Sequence, residues 1–436
     1  MKRRWSLVGA GSLLFGASAL AAPPLVFRPL DSLPGTGDCF ANAVSSDGRV
    51  VSGWCQTSTT AEPVRWDPVG GPLGLGFLTG SPACYAVGLS GDGAVVIGAC
   101  NFVSGETRPF RWDAAEGMQD LGLLPDTSSC YFDGPNLVSF DGSVVAGDCA
   151  SADQSMNEGF RWDAIGGMQG LGYLPDTTQS FATGVSSDGS VVVGVSEVAN
   201  LSARQAFRWD LDHGMQGLGS LKDLPKCQAT SVSGDGSFVS GFCSGPTVAK
   251  AFRWDAGSGM QGLGVPTGDT ESFAYYISED GAVVTGESDR GAGTRVQLFR
   301  WNAADGIVGL GVLPGLDSCQ FSSLSGDGSA AAGFCIKSSQ NPVAFVWDAQ
   351  NGIRNLRSVL IDAGNDLTDW ILSSGPAIST DGLTLAGTGY HAGRDEAWVA
   401  PEASATGEGV VALALLGLGA RRARARRLHR PVSRRG

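Results

Sequence analysis

The residues with chemistry to offer are few and regularly placed in this 436-residue chain. Its ten cysteines fall as five pairs: Cys39 with Cys55, Cys84 with Cys100, Cys130 with Cys149, Cys227 with Cys243, and Cys319 with Cys335. An Asp-Gly step lies between the members of each pair, and in four pairs the Asp is midway. Three chemistries fit cysteine pairs: a metal site, a nucleophile or a staple. A zinc site needs four converging ligands, usually from close C-x-x-C pairs, and the chain contains none. "GFCSG", residues 241–245, imitates a nucleophile elbow with Cys243 in the nucleophile's place. That pattern needs a strand-to-helix turn and a partner histidine, and other repeats carry a cysteine at the same place. Residues equidistant from a hairpin turn face each other with Cβ atoms ~4.5–5.5 Å apart, a separation that suits an S–S bond after slight adjustment. Five within-hairpin disulfides are therefore expected. Each closes a loop of ~15 residues and contributes roughly 3 kcal/mol in the chain-entropy model. They imply an oxidising compartment. Where the cysteines are missing, both positions change together: Ser180 with Ser196, Ser272 with Ser288, and Ser373 with Gly389.

The histidines are His213, His391 and His429. His429 lies in a basic C-terminal stretch. His213 stands where other repeats have Glu116, Gly166, Ser258 or Asp305, and His391 has no histidine partner. Neither a multi-histidine metal centre nor a His-based triad is expected. There is no phosphate loop and no dinucleotide fingerprint. We assign no catalytic residue, no metal and no cofactor, although paired carboxylates stay open as an alternative.

The elements that position these residues recur. Asp-Gly steps begin at Asp47, Asp92, Asp141, Asp188, Asp235, Asp280, Asp327 and Asp381. Each is followed by a tryptophan: Trp66, Trp112, Trp162, Trp209, Trp254, Trp301, Trp347 and Trp398. One unit reads "SFATGVSSDGSVVVGVS", a variable piece, "AFRWD", a short turn, then "GMQGLG". It parses into four short strands, with Gly supplying the positive φ of the first turn. Four strands repeated every ~45 residues is the pattern of a propeller blade. The eighth unit stops at "EAWVA" without a fourth strand. "FRPLDSLPG", residues 27–35, aligns with the fourth strand and following turn of unit three, "MQGLGYLPD", residues 168–176. We therefore expect an all-β propeller of eight four-stranded blades over residues 22–400, closed by an N-terminal strand at 25–30. Seven blades plus an irregular C-terminal piece is the alternative, because Trp347 to Asp381 spans 34 residues where 26 is usual. A helical period competes only near residues 354–373.

"AFRWD…GMQGLG.LP" and "VSSDGSVVVG" resemble the HAF family of bacterial extracellular repeats. That resemblance implies a secreted propeller and no established catalytic activity. The N-terminus has a basic start, an apolar run and Ala19-Leu20-Ala21, which fits a signal peptide over 1–21 with the mature chain beginning at Ala22. The C-terminus, 401–436, has Pro401-Glu402, a polar spacer, the apolar run 410–420 and "RRARARR". This resembles the PEP-CTERM sorting tails, with Pro-Glu-Ala where that family has Pro-Glu-Pro. The apolar run is about half the ~20 residues of a membrane-spanning helix. The resemblance implies a sorting protease as a partner.

The whole chain has 30 Lys and Arg against 43 Asp and Glu. Setting aside three basic residues in the leader, eight arginines after residue 420, Glu402 and Glu408 leaves the central region at about −22. Such a surface does not bind nucleic acid by neutralising phosphates. It favours solubility, cations or a basic partner. We expect an exported, monomeric protein, periplasmic, extracellular or on the cell surface.

The arginine before six of the eight tryptophans (Arg65, Arg111, Arg161, Arg208, Arg253, Arg300; Val346 and Ala397 stand there in the last two units) reads as an inter-blade packing or ion-pair element rather than a ligand hook. Aromatic residues follow the first cysteine position: Phe40, Tyr85, Tyr131, Phe181 and Phe273. They have two readings, inter-blade core or a channel mouth that stacks on sugars. The binding candidates are Tyr85, Tyr131, Phe181, Phe273, Tyr390 and His391. The favoured function is a binding or scaffold module for extracellular polysaccharide or a surface protein. Alternatives are a glycan hydrolase or lyase, with Tyr390, His391 and Arg394 at the channel, and a purely structural surface protein.

Overall fold

Each repeat is organised around its Ser-x-Asp-Gly turn. In the computed structural model the turn glycines 48, 93, 142, 189, 236, 281, 328 and 382 all have φ between 68° and 75°. Two residues before each Asp stands a serine (Ser45, Ser90, Ser139, Ser186, Ser233, Ser278, Ser325, Ser379) that is buried. Its hydroxyl donates to the Asp Oδ1 at 2.5–2.9 Å. The same Oδ1 accepts the backbone N–H two residues on, as from Ser237 to Asp235 at 2.9 Å. The backbone N–H and hydroxyl of Ser237, with the Ser233 hydroxyl, hold the Asp235 carboxyl below its usual range. Every ligand of this carboxylate is local, so its role is to shape the turn.

The structure describes residues 24–403 except 68–69, 133, 135, 290–295, 339–340 and 373. The expected leader at 1–21, the tail from residue 404 with His429, and Ser373 lie outside the described residues. The protein is all-β, with one helix, Leu356–Asp362, among the described residues.

Unit four shows the plan: Gln179–Val185, Val191–Glu197, Arg204–Asp210 and Gly214–Gly217 pair in sequence order as one antiparallel sheet. Units five, six and seven repeat it, and units one to three do so within a single larger sheet. Gly194 lies opposite Phe207, and a Cβ there would come within 2.8 Å of the ring. This close approach explains the glycine in the second strand. The corresponding phenylalanines 110, 160, 207, 252, 299 and 345 are fully buried. In unit eight, Ala377–Ile378, Thr384–His391 and Arg394–Pro401 are joined by the N-terminal Arg28–Pro29, with Arg28 opposite Val399 and Pro29 opposite Trp398.

Neighbouring units are stitched at three levels. The bulge residues Asn42, Thr183 and Thr230 donate to the carbonyls of Ala86, Ala229 and Ala274 in the next unit at 2.8–3.0 Å. Arg111 and Arg253 donate to the next turn glycine's carbonyl, Gly142 at 3.0 Å and Gly281 at 2.8 Å. Each also lies over the next tryptophan at 5.8–5.9 Å, within cation–π range. The inter-blade packing reading of these arginines fits this geometry. Finally, backbone hydrogen bonds of 2.7–3.2 Å run from turn to turn, starting at Ser46 N to Gly91 O and ending at Asp381 N to Ser46 O.

All ten cysteines are paired as expected. Cys39 is bonded to Cys55, Cys84 to Cys100, Cys130 to Cys149, Cys227 to Cys243 and Cys319 to Cys335, with Cα–Cα separations of 3.9–4.1 Å. Every one of these side chains is fully buried, so the bridges are structural and offer nothing to a ligand. Such bonds belong to an oxidising environment, periplasmic or extracellular. The serine pairs are directly opposed too, but their hydroxyls bond elsewhere. Ser180 accepts from Gly159 N at 3.0 Å and Ser272 from Ala251 N at 3.0 Å. Each ties its strand to the preceding unit in place of the staple.

Candidate functional site

Two recesses merit comparison. The first is a cavity of about 210 Å³ to which every unit contributes, at the end of the turns. Residues just before the Asp of each turn meet there. A side chain at Gly91, Gly234 or Gly326 would collide with Phe140, Glu279 or Thr380 respectively. The glycines thus make room for neighbouring side chains that fill the space. Glu279 is tied across it by the Ser187 hydroxyl at 2.8 Å. Phe140, Glu279 and Thr380 thus narrow this end.

The aromatics with two readings, inter-blade core or channel mouth, sit largely in seams between units. Phe40 stacks on Trp54 at 4.1 Å, and Tyr85 of the next unit meets the same indole edge-on at 5.0 Å. Phe273 meets Phe242 of the preceding unit at 5.0 Å. Phe181 is half-buried opposite Val195, and Tyr131 is exposed opposite Asp148. Glu287, opposite Phe273, is buried in the same layer. Burial pushes its carboxyl up to about 7, and a hydrogen bond with Gln320 offsets this in part. Burial also pushes the nearby Tyr276 phenol up to about 12. An acid near neutrality suits proton transfer, but at 8% exposure Glu287 is closed off from a substrate.

The second recess is a cleft of about 720 Å³ where unit seven meets the irregular part of unit eight. Sequence explains how it forms. Asn355 caps the helix, its side chain accepting from Ser358 N at 3.2 Å, and Leu356 and Leu360 bury one face at i, i+4 spacing. Leu367, Trp370 and Leu372 then pack beneath the chain, while Asp369 takes φ 63°. Arg357 ties this segment down, Nε donating to Trp370 O at 3.2 Å and Nη2 to Leu367 O at 3.0 Å. Ile371 exchanges backbone hydrogen bonds of 2.8 and 2.9 Å with Tyr390.

His391 stacks flat on Trp370, centroids 4.6 Å apart at 5°. Its Nδ1 lies 3.1 Å from Glu396 Oε2, and Arg394 Nε donates to Glu396 Oε1 at 2.7 Å. His391 and Arg394 flank a two-residue turn in which Ala392 and Gly393 have φ of 50° and 89°. The structure brings Tyr390, His391 and Arg394 together beside this cleft; the lining of the turn-end cavity contains none of them. Tyr390 is 45% exposed and Ile371 40%, so the cleft carries apolar surface open to solvent. Asn341, Asn355, Arg357 and Asp369 add polar groups along it. An apolar surface with a few placed polar groups is the make-up of a small-molecule site. Of these residues, sequence reasoning found Tyr390 and His391 and missed Trp370, Arg357, Asn355 and Asp369. The signal available was the long Trp347–Asp381 interval.

The sequence matches no protein-family model and no curated protein. Among solved structures it is similar to a prolyl endopeptidase, with TM-score 0.51 and 9% identity over 82% of this chain and 55% of that one. The chain thus spans about half of that protein's length. It is also similar to oligogalacturonate lyase from Vibrio parahaemolyticus, with TM-score 0.47 and 12% identity over 87% and 97% of the two chains. A third is the β-propeller domain of the Trilobed protease from Pyrococcus furiosus, with TM-score 0.46 and 8% identity over 74% and 96%. At these identities the likeness is one of fold alone, and it is the chain's own repeated four-stranded sheets that are propeller-like.

Proposed function

We propose that this protein is an exported, eight-bladed propeller of the HAF type that binds extracellular polysaccharide in the cleft beside Trp370. The observation that carries the reading is that cleft. It occurs where the repeat is interrupted, and it combines the exposed Tyr390 and Ile371 with amide, guanidinium and carboxylate groups. A sugar ring offers an apolar C–H face and a rim of hydroxyls, and this lining suits both. Eight blades closed by the N-terminal strand are supported by Arg28–Pro29 beside Arg394–Pro401 and by the turn-to-turn bonds that return to Ser46. The leader and the PEP-CTERM-like tail, with its sorting protease, belong to the same proposal. They would deliver the propeller to the cell surface, and five disulfides fit that route. A hydrolase or lyase at a channel mouth has less support, because Glu287, whose carboxyl is pushed up towards neutrality, lies in a closed seam.

Glycan-array binding followed by calorimetry tests this. Binding of a polysaccharide segment, weakened about tenfold in Tyr390→Ala at unchanged thermal stability, is expected for loss of one stacking contact. Absence of binding together with absence of turnover would leave the purely structural role.

A further inference from the structure

The charge of Arg357 sharpens this reading. Guanidinium groups in this acidic chain are mostly matched to carboxylates. Arg65, Arg111, Arg161 and Arg208 pair with Asp67, Asp113, Asp163 and Asp210, Arg354 with Asp348, and Arg394 with Glu396. Arg357 bonds two backbone carbonyls instead and makes no ion pair among the described residues. A guanidinium has five N–H donors in a rigid fork. Two are directed at Trp370 O and Leu367 O, which orients the plane, and three remain.

Arg357 is exposed and lines the open cleft, with Pro342, Val343 and Ile371 along the same walls. A fixed, unneutralised cation beside an apolar wall suits a ligand that pairs a carboxylate with a hydrophobic ring face. We propose that the cleft receives a uronic-acid residue of a polysaccharide, its carboxylate bonded to Arg357. This rests on the glycan-binding reading above and names the sugar class. The central region's charge of about −22 opposes a dense polyanion at long range. The ligand is therefore a chain in which uronates are spaced among neutral sugars, so that one carboxylate meets one guanidinium. Asp369, on the same lining, adds a local acceptor for sugar hydroxyls and further disfavours a second adjacent carboxylate.

The test is calorimetry of the purified protein with hyaluronan and glucuronoxylan oligosaccharides, each beside its carboxyl-reduced counterpart, and with alginate as a dense polyanion. At least one spaced-uronate probe should bind at least tenfold more tightly than its reduced form, and alginate should bind more weakly than it. Arg357→Gln should cost the acidic probe at least tenfold more than the reduced one, bringing the ratio of their affinities close to one. Arg357→Lys, which keeps the charge, should fall between. Equal affinity for parent and reduced forms, or an equal loss for both in Arg357→Gln, overturns the uronate assignment while leaving the glycan reading standing. If alginate binds most tightly, the spacing argument fails. If no glycan, acidic or neutral, binds the wild-type protein, the glycan reading falls with it.

Discussion

Units five and eight share a turn down to its individual hydrogen bonds. Ser233 donates to Asp235 at 2.9 Å, and Ser379 to Asp381 at 2.5 Å. At the other end of the hairpin they diverge. Unit five closes it with Cys227–Cys243. Unit eight has Gly389 at the second cysteine's place, and Trp370 occupies the space that a side chain there would need, 2.9 Å from an added Cβ. The tryptophan is in turn held by His391 on one ring face and by Phe27 edge-on at 4.9 Å. In unit eight the indole thus stands where unit five has its staple. The turn end is locked to its neighbours around the repeat, so variation accumulates at the open end, and the candidate site lies there.

The largest expected effect is on unit eight's substitute for the staple. Trp370→Ala should cost about 4 kcal/mol, as for large aromatic truncations in cores, and abolish cleft binding. A loss below about 1 kcal/mol in urea unfolding would mean that the indole is not the staple's counterpart. Next comes Cys227→Ser with Cys243→Ser. Opening this loop should cost roughly 3 kcal/mol and leave glycan affinity unchanged. A parallel loss of affinity would break the separation between the two regions.

Glu287 provides the third test, since it belongs to the seam and not to the cleft. Its folded pKa, about 7, lies above the ordinary glutamate value of 4.5. The protonated form is therefore favoured by folding. Below pH 4.5 the side chain costs nothing, and stability falls as pH rises from there through 7. Glu287→Gln should remove that slope and stabilise the protein by roughly 2–3 kcal/mol at about pH 8 and above, with no gain at about pH 4. An unchanged pH profile in the variant would show that the seam is wetter than its burial indicates. The smallest effect is at Ala392, which holds φ 50° in the turn beside the cleft. Ala392→Gly should gain about 1 kcal/mol by relieving a left-handed conformation. A loss would mean that the methyl group contributes packing there.

The repeat was legible because its determinants are local. Asp-Gly spacing sets the turn, equal offsets from it set the cysteine partners, and alternation puts phenylalanine opposite glycine. The same logic reached Cys130 with Cys149, whose hairpin carries extra residues on one side of Asp141 and still brings the two sulfurs together. The paired replacement of Cys by Ser reported cross-strand contact correctly, though not that Ser180 and Ser272 would turn to the neighbouring unit. The aromatics beside the cysteines had two readings, since alternation assigns a face but not what that face meets. Phe40, Tyr85 and Phe273 meet other rings. The helical period near 354–373 was visible, while the cleft it builds was not.

Sequence alone thus determined the turns, the hairpin register, the five disulfides and the compartment they require, because each follows from backbone conformation and short-range spacing. Tertiary structure decided which residues far apart in the chain come together. Asn365 bonds Phe27 N across 338 positions, Trp370 covers Gly389, and Gln320 reaches the buried Glu287 of another unit. Those contacts depend on how separate sheets pack; the long Trp347–Asp381 interval marks where the repeat is interrupted, but not which residues meet there.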